Sequence, residues 1–463
     1  MENPSASPKA DPCVKRLFRR KIYGQMLKWK ERSQGRKALL IEGPRQVGKT
    51  AIVREFARRE YRSCLFIDFA NCASGVKEAF SNPSDPDLLF ATLLALTGSG
   101  PLFDRQSVVL FDNVQCFPRA RQAVKHLVQD GRYDFIEAGC MACIHSNVKD
   151  ILIPSEEEEL EMRPMDFEEF CLALGRDEDF PLMRSLLDKA MPFGAAGSGS
   201  ALYRSIAGVF RLYLMVGGMP GAVDAYLRTR DLESADRVKR GILSLIMQDF
   251  DKHDPSGTAK AIFKAIPEQV AGGRRCFSIT AAAGRIPKGK AGGIMELLRE
   301  SKACLTAWRA LDPITGLQFL PDLNAFRLFI CDTGLFITLA YWDRLFSENK
   351  LYALLSGVAS SADLKGACEN AAAQMLAASG NRLFFYAFKA PDGHLQAIDF
   401  LLSRGGKICP VEVENRPCGR RKSMDDFCLK FKRRIGQSFL LHDGDLAREN
   451  GLLAIPLFMA PLI

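Results

Sequence analysis

Gly43-Pro44-Arg45-Gln46-Val47-Gly48-Lys49-Thr50 is the stretch on which the reading of this chain turns. It fits G-x-x-x-x-G-K-[ST] and lies between an apolar run, Ala38–Ile41, and a helical pattern from Ala51 to Arg59. Glycines let the main chain curl so that successive N–H groups and the N-terminus of the next helix face an anion. Lys49 would then neutralise the β- and γ-phosphates of ATP, and the Thr50 hydroxyl would meet Mg2+. Such a site also needs an acid at the tip of a neighbouring strand. Val108-Val109-Leu110-Phe111-Asp112 supplies one, with Asp112 as the expected magnesium partner.

Around the loop, strand-like runs at Ala38–Ile41, Leu65–Asp68, Val108–Asp112 and Phe135–Glu137 alternate with helical patterns such as Ala51–Arg59 and Arg119–Gln129. That alternation predicts an α/β fold, a P-loop NTPase parallel sheet with crossover helices. Further on, Phe193–Ser200 reads as a flexible linker, and Leu202–His253 as helices broken at Gly217-Gly218-Met219-Pro220-Gly221. Helices at Ala259–Gln269 and Ile294–Lys302 flank the glycine- and lysine-rich Gly284–Lys290, a helix-turn-helix or winged-helix pattern. A helix at Ala367–Ala378 followed by strands at Leu383–Phe388, Ala397–Leu402 and Ile408–Val413 predicts an α+β unit. The expected layout is a basic N-terminal helix (1–36), the P-loop domain (37–192), a linker (193–200), a helical, winged-helix-like middle (201–360) and the α+β domain (361–463).

The composition sets bounds on function. At 463 residues, 47% hydrophobic and 25% charged, the chain is neither disordered nor a small disulfide scaffold. Its 63 basic against 54 acidic residues permit an anionic partner without requiring one. Fourteen scattered cysteines and the lack of an apolar signal core in Met1–Pro12 point to free thiols and a cytoplasmic location, and no run is long enough to span a membrane. Cys140-Met141-Ala142-Cys143 with His145 lacks a second pair at zinc spacing, and the five histidines form no catalytic pattern. Glu156–Glu159 with Glu161 reads as a solvated loop or helix start, with Arg163 just beyond as a candidate to reach a γ-phosphate. Residues Arg382–Arg434 hold twelve Lys or Arg against six Asp or Glu, suited to nonspecific DNA or RNA contact.

Arg20-Lys21-Ile22-Tyr23 with Leu27-Lys28-Trp29-Lys30, Arg45–Thr50, Met165-Asp166-Phe167-Glu168-Glu169-Phe170, Gly217–Pro220 and Asp332-Thr333-Gly334-Leu335 resemble, in this order, the prokaryotic AAA+-like ATPases that carry a C-terminal domain of unknown function. The resemblance covers most of the chain. It implies a nucleotide-binding domain, a winged-helix-like middle and a C-terminal domain similar to PD-(D/E)xK nucleases. It also exposes departures. Where that family has Asp-Glu-Ile-Gln, this chain has Asp112-Asn113-Val114-Gln115, so an amide that cannot accept a proton replaces the general base. Ala138-Gly139-Cys140 stands where the family has Thr-Gly-Ser. Glu137 is a candidate substitute base, although strand alternation turns it away from its neighbours' face. In the nuclease-like part, Asp399 and Glu412 stand at the metal-ligand positions, Glu369 is a third candidate, and Glu414 replaces the lysine. Lys407 or Lys422 would have to substitute for it.

The function expected from these residues is ATP binding, with Mg-ATP as a conformational ligand and hydrolysis slow or absent. The alternatives are an active ATPase coupled to nucleic-acid transactions or defence, and a non-catalytic scaffold for nucleic acid or protein. Cleavage of nucleic acid is not expected.

Overall fold

Ala38, Leu39, Leu40 and Ile41 are all fully buried, which requires a strand covered on both faces. That strand, β1 (Ala38–Glu42), lies inside a five-stranded sheet in the order β2 (Ser63–Asp68), β3 (Ser107–Asp112), β4 (Asp134–Gly139), β1, β5 (Glu157–Glu161), with every pairing parallel. The computed structural model describes residues 16–81, 85–140, 156–193, 200–314, 316–317, 321–357, 364–390, 393–414, 422–449 and 451–463. Residues 194–199 of the expected linker, Cys143 and His145, and Arg420 and Arg421 of the basic cluster lie outside the described residues.

Alternation along the strands divides the core in two. Leu39, Ile41, Val108, Leu110 and Ile136 pack with Ile22, Met26 and Trp29 of α1 (Lys21–Ser33) and Ile52, Val53 and Phe56 of α2 (Lys49–Glu60). Leu40, Val109, Phe111 and Phe135 face α3 (Ser74–Ala79), α4 (Pro86–Thr97) and α5 (Pro118–Asp130). Each fully buried large aliphatic side chain contributes about 1.5–3 kcal/mol, so the sheet is a rigid base for the loop that leaves it.

The acidic run after residue 155 is neither a solvated loop nor a helix start. Glu157–Glu161 is an edge strand, paired from Ala38 opposite Glu157 to Glu42 opposite Glu161. Cations from elsewhere make this possible: Arg121 of α5 binds Glu157, Arg32 of α1 binds Glu158, and Arg163 binds Glu161. Charge patterning within the run cannot reveal partners so distant in sequence.

Beyond the sheet, helices Ser200–Val216, Pro220–Thr229 and Leu232–His253 form the first helical block. The chain bends by 117° between the first two. Gly217 sits there at φ 82°, and a Cβ would lie 2.4 Å from Asp332 Oδ1, so both conformation and space call for glycine. Helices Thr258–Ala271, Ile279–Ala283 and Lys288–Glu300 lead into the antiparallel pair β6 (Cys304–Ala310) and β7 (Pro321–Ile330). These strands join β8 (Phe384–Lys389), β9 (Leu395–Arg404), β10 (Lys407–Val413), β11 (Ser438–His442), β12 (Ala447–Glu449) and β13 (Leu452–Pro456) in one eight-stranded sheet, ordered β12-β13-β11-β10-β9-β8-β6-β7. The Lys365–Ala378 helix packs against it, with Ala371, Ala372, Ala373, Met375 and Leu376 fully buried. Among the described residues, no single helix is long and apolar enough to cross a membrane.

Candidate functional site

The loop Gly43–Thr50 leaves the C-terminal end of β1 and enters α2, the position where parallel α/β sheets hold ligands. Gly48 takes φ 102° and Gln46 φ 58°, so the turn is tight. At Gly43 the constraint is space: a Cβ would stand 2.2 Å from the Met162 carbonyl oxygen. Val47 anchors the loop in the core at 0% exposure. Lys49 folds back across it, donating from Nζ to the Gly43 and Pro44 carbonyls at 2.8 Å each. Burial pushes the ammonium below its ordinary pKa, the position of a desolvated cation whose charge an incoming anion would satisfy.

The strand order brings β3 within reach. Asp112, last residue of β3, shares a sheet face with α2, and the Thr50 hydroxyl donates to its Oδ2 at 2.8 Å. Burial raises the Asp112 carboxyl, hydrogen bonds from Thr50 and the Asn113 N–H oppose this, and the neighbouring charge of Asp68 adds to the rise. The buried Asp112 carboxylate, bonded to the exposed Thr50 hydroxyl beside a lysine-bearing loop, suits a hard divalent cation, so Thr50 and Asp112 fit Mg2+.

Asn113 adopts the left-handed conformation (φ 54°, ψ 44°), which asparagine tolerates better than most residues. Its Nδ2 donates to Asp68 Oδ1 at 2.8 Å, and its Oδ1 accepts from Gln115 Nε2 at 3.2 Å. Asp68, at the tip of β2 and in register with Asp112, is a carboxylate that the sequence reading missed. Burial would raise Asp68, but hydrogen bonds from Asn71, Asn113 and the Ala70 N–H outweigh it and hold the pKa below the usual value.

Glu137 lies elsewhere. By alternation it shares the α5 face with Phe135, while Ile136 and Ala138 face α2. It is 0% exposed, 3.8 Å from Arg121. Burial, reinforced by the charge of Glu157, raises its pKa well above the ordinary range. Arg163 pairs with Glu161 at 2.9 Å, and its carbonyl accepts from Arg20.

Three side-chain contacts tie the loop to the rest of the molecule. Arg45 forms a two-pronged ion pair with Asp249 on the Leu232–His253 helix, its Nη2 2.7 Å from Oδ1. Glu42, just before the loop, meets Lys302 at 2.7 Å, ahead of β6. Arg20 donates to the Val47 carbonyl at 3.1 Å and to Glu169 Oε2 at 3.1 Å. Glu169 and Asp166 form a capping box on the Phe167–Ala173 helix, and the Met165 N–H donates to Gly218 O at 2.8 Å. Gly218 N–H in turn donates to Asp332, the N-cap of the Thr333–Leu339 helix. Four segments remote in sequence thus form one hydrogen-bonded chain ending at the loop.

In the eight-stranded sheet, Glu369 and Asp399 come together around a residue that the sequence reading passed over. Arg327, on β7, is bonded to Glu369 and lies 3.6 Å from Asp399. Asp399 Oδ2 also accepts from the Val413 N–H at 3.0 Å, and Glu412 Oε1 accepts from Ser423 at 2.5 Å. Lys407 donates to the Arg433 carbonyl at 2.6 Å and does not enter the cluster. Glu414 follows the end of β10, its N–H bonded to Leu441 O.

Residues 35–171 match the AAA domain family, and residues 208–345 match a domain of unknown function (DUF8612). The second match spans the helical block and the β6/β7 pair. No curated protein matches the chain. Similar solved structures include the Walker-type ATPase PABY2304 of Pyrococcus abyssi (15% identity, covering 72% of this chain and 99% of that one, TM-score 0.42). Others are the Aeropyrum pernix Orc1 protein in complex with DNA (13%, 69% and 91%, 0.28) and the Thermotoga maritima RuvB Holliday junction branch migration motor (12%, 62% and 89%, 0.28). The family match, the loop and the sheet order make the N-terminal part an AAA-type P-loop domain with a nucleotide-binding site.

Proposed function

We propose that the chain binds Mg-ATP as a ligand that sets its conformation, with hydrolysis slow or absent. The observation that carries this reading is the commitment of Asn113. The residue after the metal-side acid is an amide, tied through Nδ2 to Asp68, and has no basic atom to offer an attacking water. Asp68 is a poor substitute, because the three donors that hold its pKa down also weaken it as a base. Glu137 is sealed on the other face and favours its neutral form. Magnesium, when bound, would screen charge between the β- and γ-phosphates; Thr50 and Asp112 are the groups to hold it.

The ligand role draws support from the contacts of Arg45, Glu42 and Arg20, which join the loop to three other parts of the fold. Any rearrangement of the loop on filling has to be accommodated in those contacts. Steady-state phosphate release tests the reading: the wild-type rate should exceed that of Lys49→Ala slightly or not at all. Release well above that background that disappears in Asp68→Asn would identify Asp68 as the base and overturn it in favour of an active ATPase. Asp112→Asn should weaken Mg2+-dependent ATP binding about tenfold while leaving metal-free binding nearly unchanged, read by titration with and without chelator. Equal loss in both conditions would remove Asp112 from the metal role.

The C-terminal sheet is proposed to be a scaffold similar to PD-(D/E)xK nucleases, without cleavage activity. Arg327 supports this, because its cation sits between Glu369 and Asp399, where two carboxylates would otherwise invite a metal. The three helices followed by the β6/β7 pair fit a winged-helix-like unit, and Lys430–Arg434 is a candidate for nonspecific contact with nucleic acid. A cytoplasmic location agrees with the cysteine-tolerant composition.

A further inference from the structure

A second cleft, separate from the phosphate loop, opens where the AAA-type domain meets the eight-stranded sheet. It encloses about 390 Å3, within the range of small-ligand sites. Among the described residues, four cations line it: Arg163 after β5, Arg299 and Lys302 ahead of β6, and Arg382 ahead of β8; Glu161 is the one acid among them in the wall. Arg299, which also meets Glu296 at 3.5 Å one turn back on its helix, and Arg382 are exposed and stand at the mouth. Lys302 and Arg163 are held in place by Glu42 and Glu161. The wall also carries a half-buried indole, Trp308, placed beside Phe384 by the parallel pairing of β6 with β8 and braced edge-on by Phe326 at 5.8 Å.

We infer that this cleft binds a nucleoside phosphate unit, with the base against Trp308 and the phosphate among Arg299, Lys302 and Arg382. Cations on one side and a braced flat ring on the other are the two halves of nucleotide recognition without base-edge reading: phosphate neutralisation and stacking. A single carboxylate among the described wall residues is too few for a metal site, and four cations in the wall disfavour a basic peptide. Glu161, Arg163, Lys302 and Leu305 also line a small recess that reaches Pro44 of the phosphate loop. Occupation of the cleft therefore bears on the loop through shared walls, and Lys302 adds a direct link through Glu42. The inference does not depend on ATP binding at the loop.

A free nucleotide and a single-stranded nucleic acid both present this unit. Tryptophan fluorescence of the full chain, wild-type and Lys49→Ala, is titrated separately with ATP and with a twelve-residue oligothymidylate. A saturable change in both proteins with at least one of the two titrants is expected, and the titrant that saturates at the lower concentration identifies the source. The Trp308→Phe chain should lose the change, since Trp29 is buried in the N-terminal core and the third indole, Trp342, is not among the residues lining the cleft. Arg299→Ala combined with Arg382→Ala, two exposed positions that the fold should tolerate, should weaken binding at least tenfold. Strand binding should also fall with added salt. No response to either titrant at millimolar concentration, undiminished affinity in the double variant, or a response present in wild type and lost in a folded Lys49→Ala chain would overturn the inference. If Lys49→Ala does not fold, the double variant in the otherwise wild-type chain decides.

Discussion

Replacing Lys49 with alanine is expected to weaken ATP binding by about 100-fold or more, equivalent to about 2.7 kcal/mol. The size of the loss is set by where the ammonium sits. It is desolvated, its Nζ is held 2.8 Å from two loop carbonyls, and burial has already depressed its pKa. A triphosphate entering the loop restores a full counter-charge in surroundings where charge-assisted hydrogen bonds contribute about 1.5–3 kcal/mol each. Alanine removes the cation and leaves the main-chain cradle, so residual weak binding is expected. Titration with a fluorescent ATP analogue measures the loss. Circular dichroism of the variant separates it from misfolding, and millimolar Mg-ATP should raise the melting temperature of the wild type more than that of the variant. Unaltered affinity in a folded variant would exclude the proposed pocket.

Arg327→Ala is expected to destabilise the fold by about 3–5 kcal/mol near pH 8, the scale set by removing one partner of a buried ion pair. Arg327 and Glu369 have side-chain exposures of 9% and 2%, so water cannot take the guanidinium's place. The pH dependence has a definite sign. Burial raises the Glu369 carboxyl to about 7, even though Arg327 draws it down. Below that value the native carboxyl is largely protonated in both proteins. Above it, the wild type ionises Glu369 against Arg327, whereas the variant must keep a proton or bury an unpaired charge. The deficit should therefore be smallest near pH 6 and widen as pH rises through 7. Urea unfolding at several pH values measures it, and adding Glu369→Gln to the variant should recover part of the loss at pH 8. A deficit independent of pH, with no recovery, would show that Arg327 acts by packing alone.

These two sites differ in how far the sequence revealed them. The candidate phosphate loop is local: Gly43, Gly48, Lys49 and Thr50 carry their proposed roles within eight residues, because the chemistry proposed for them depends on consecutive main-chain amides and one helix N-terminus. The central strands are equally legible, since Ala38–Ile41 and Val108–Phe111 carry no polar side chain and their burial on both faces leaves no other use. The β5 strand was hidden because its glutamates are neutralised by Arg121, Arg32 and Arg163 rather than by anything in the run. The β6/β7 pair was missed as well: Cys304–Ala310 alternates irregularly, and β6 is held between β7 and the remote β8.

The sequence alone determined that a strand, a glycine turn and a lysine-bearing helix follow one another, that Asp112 closes a buried strand, and that an amide, Asn113, comes directly after it. Tertiary structure decided which groups those residues meet. It put Asp68 beside Asn113, Arg45 against Asp249, and Arg327 between Glu369 and Asp399. The division has a physical cause. Backbone conformation and burial are set by neighbours along the chain, whereas the pairing of charges is set by which strands the sheet makes adjacent, information that no short window of sequence contains.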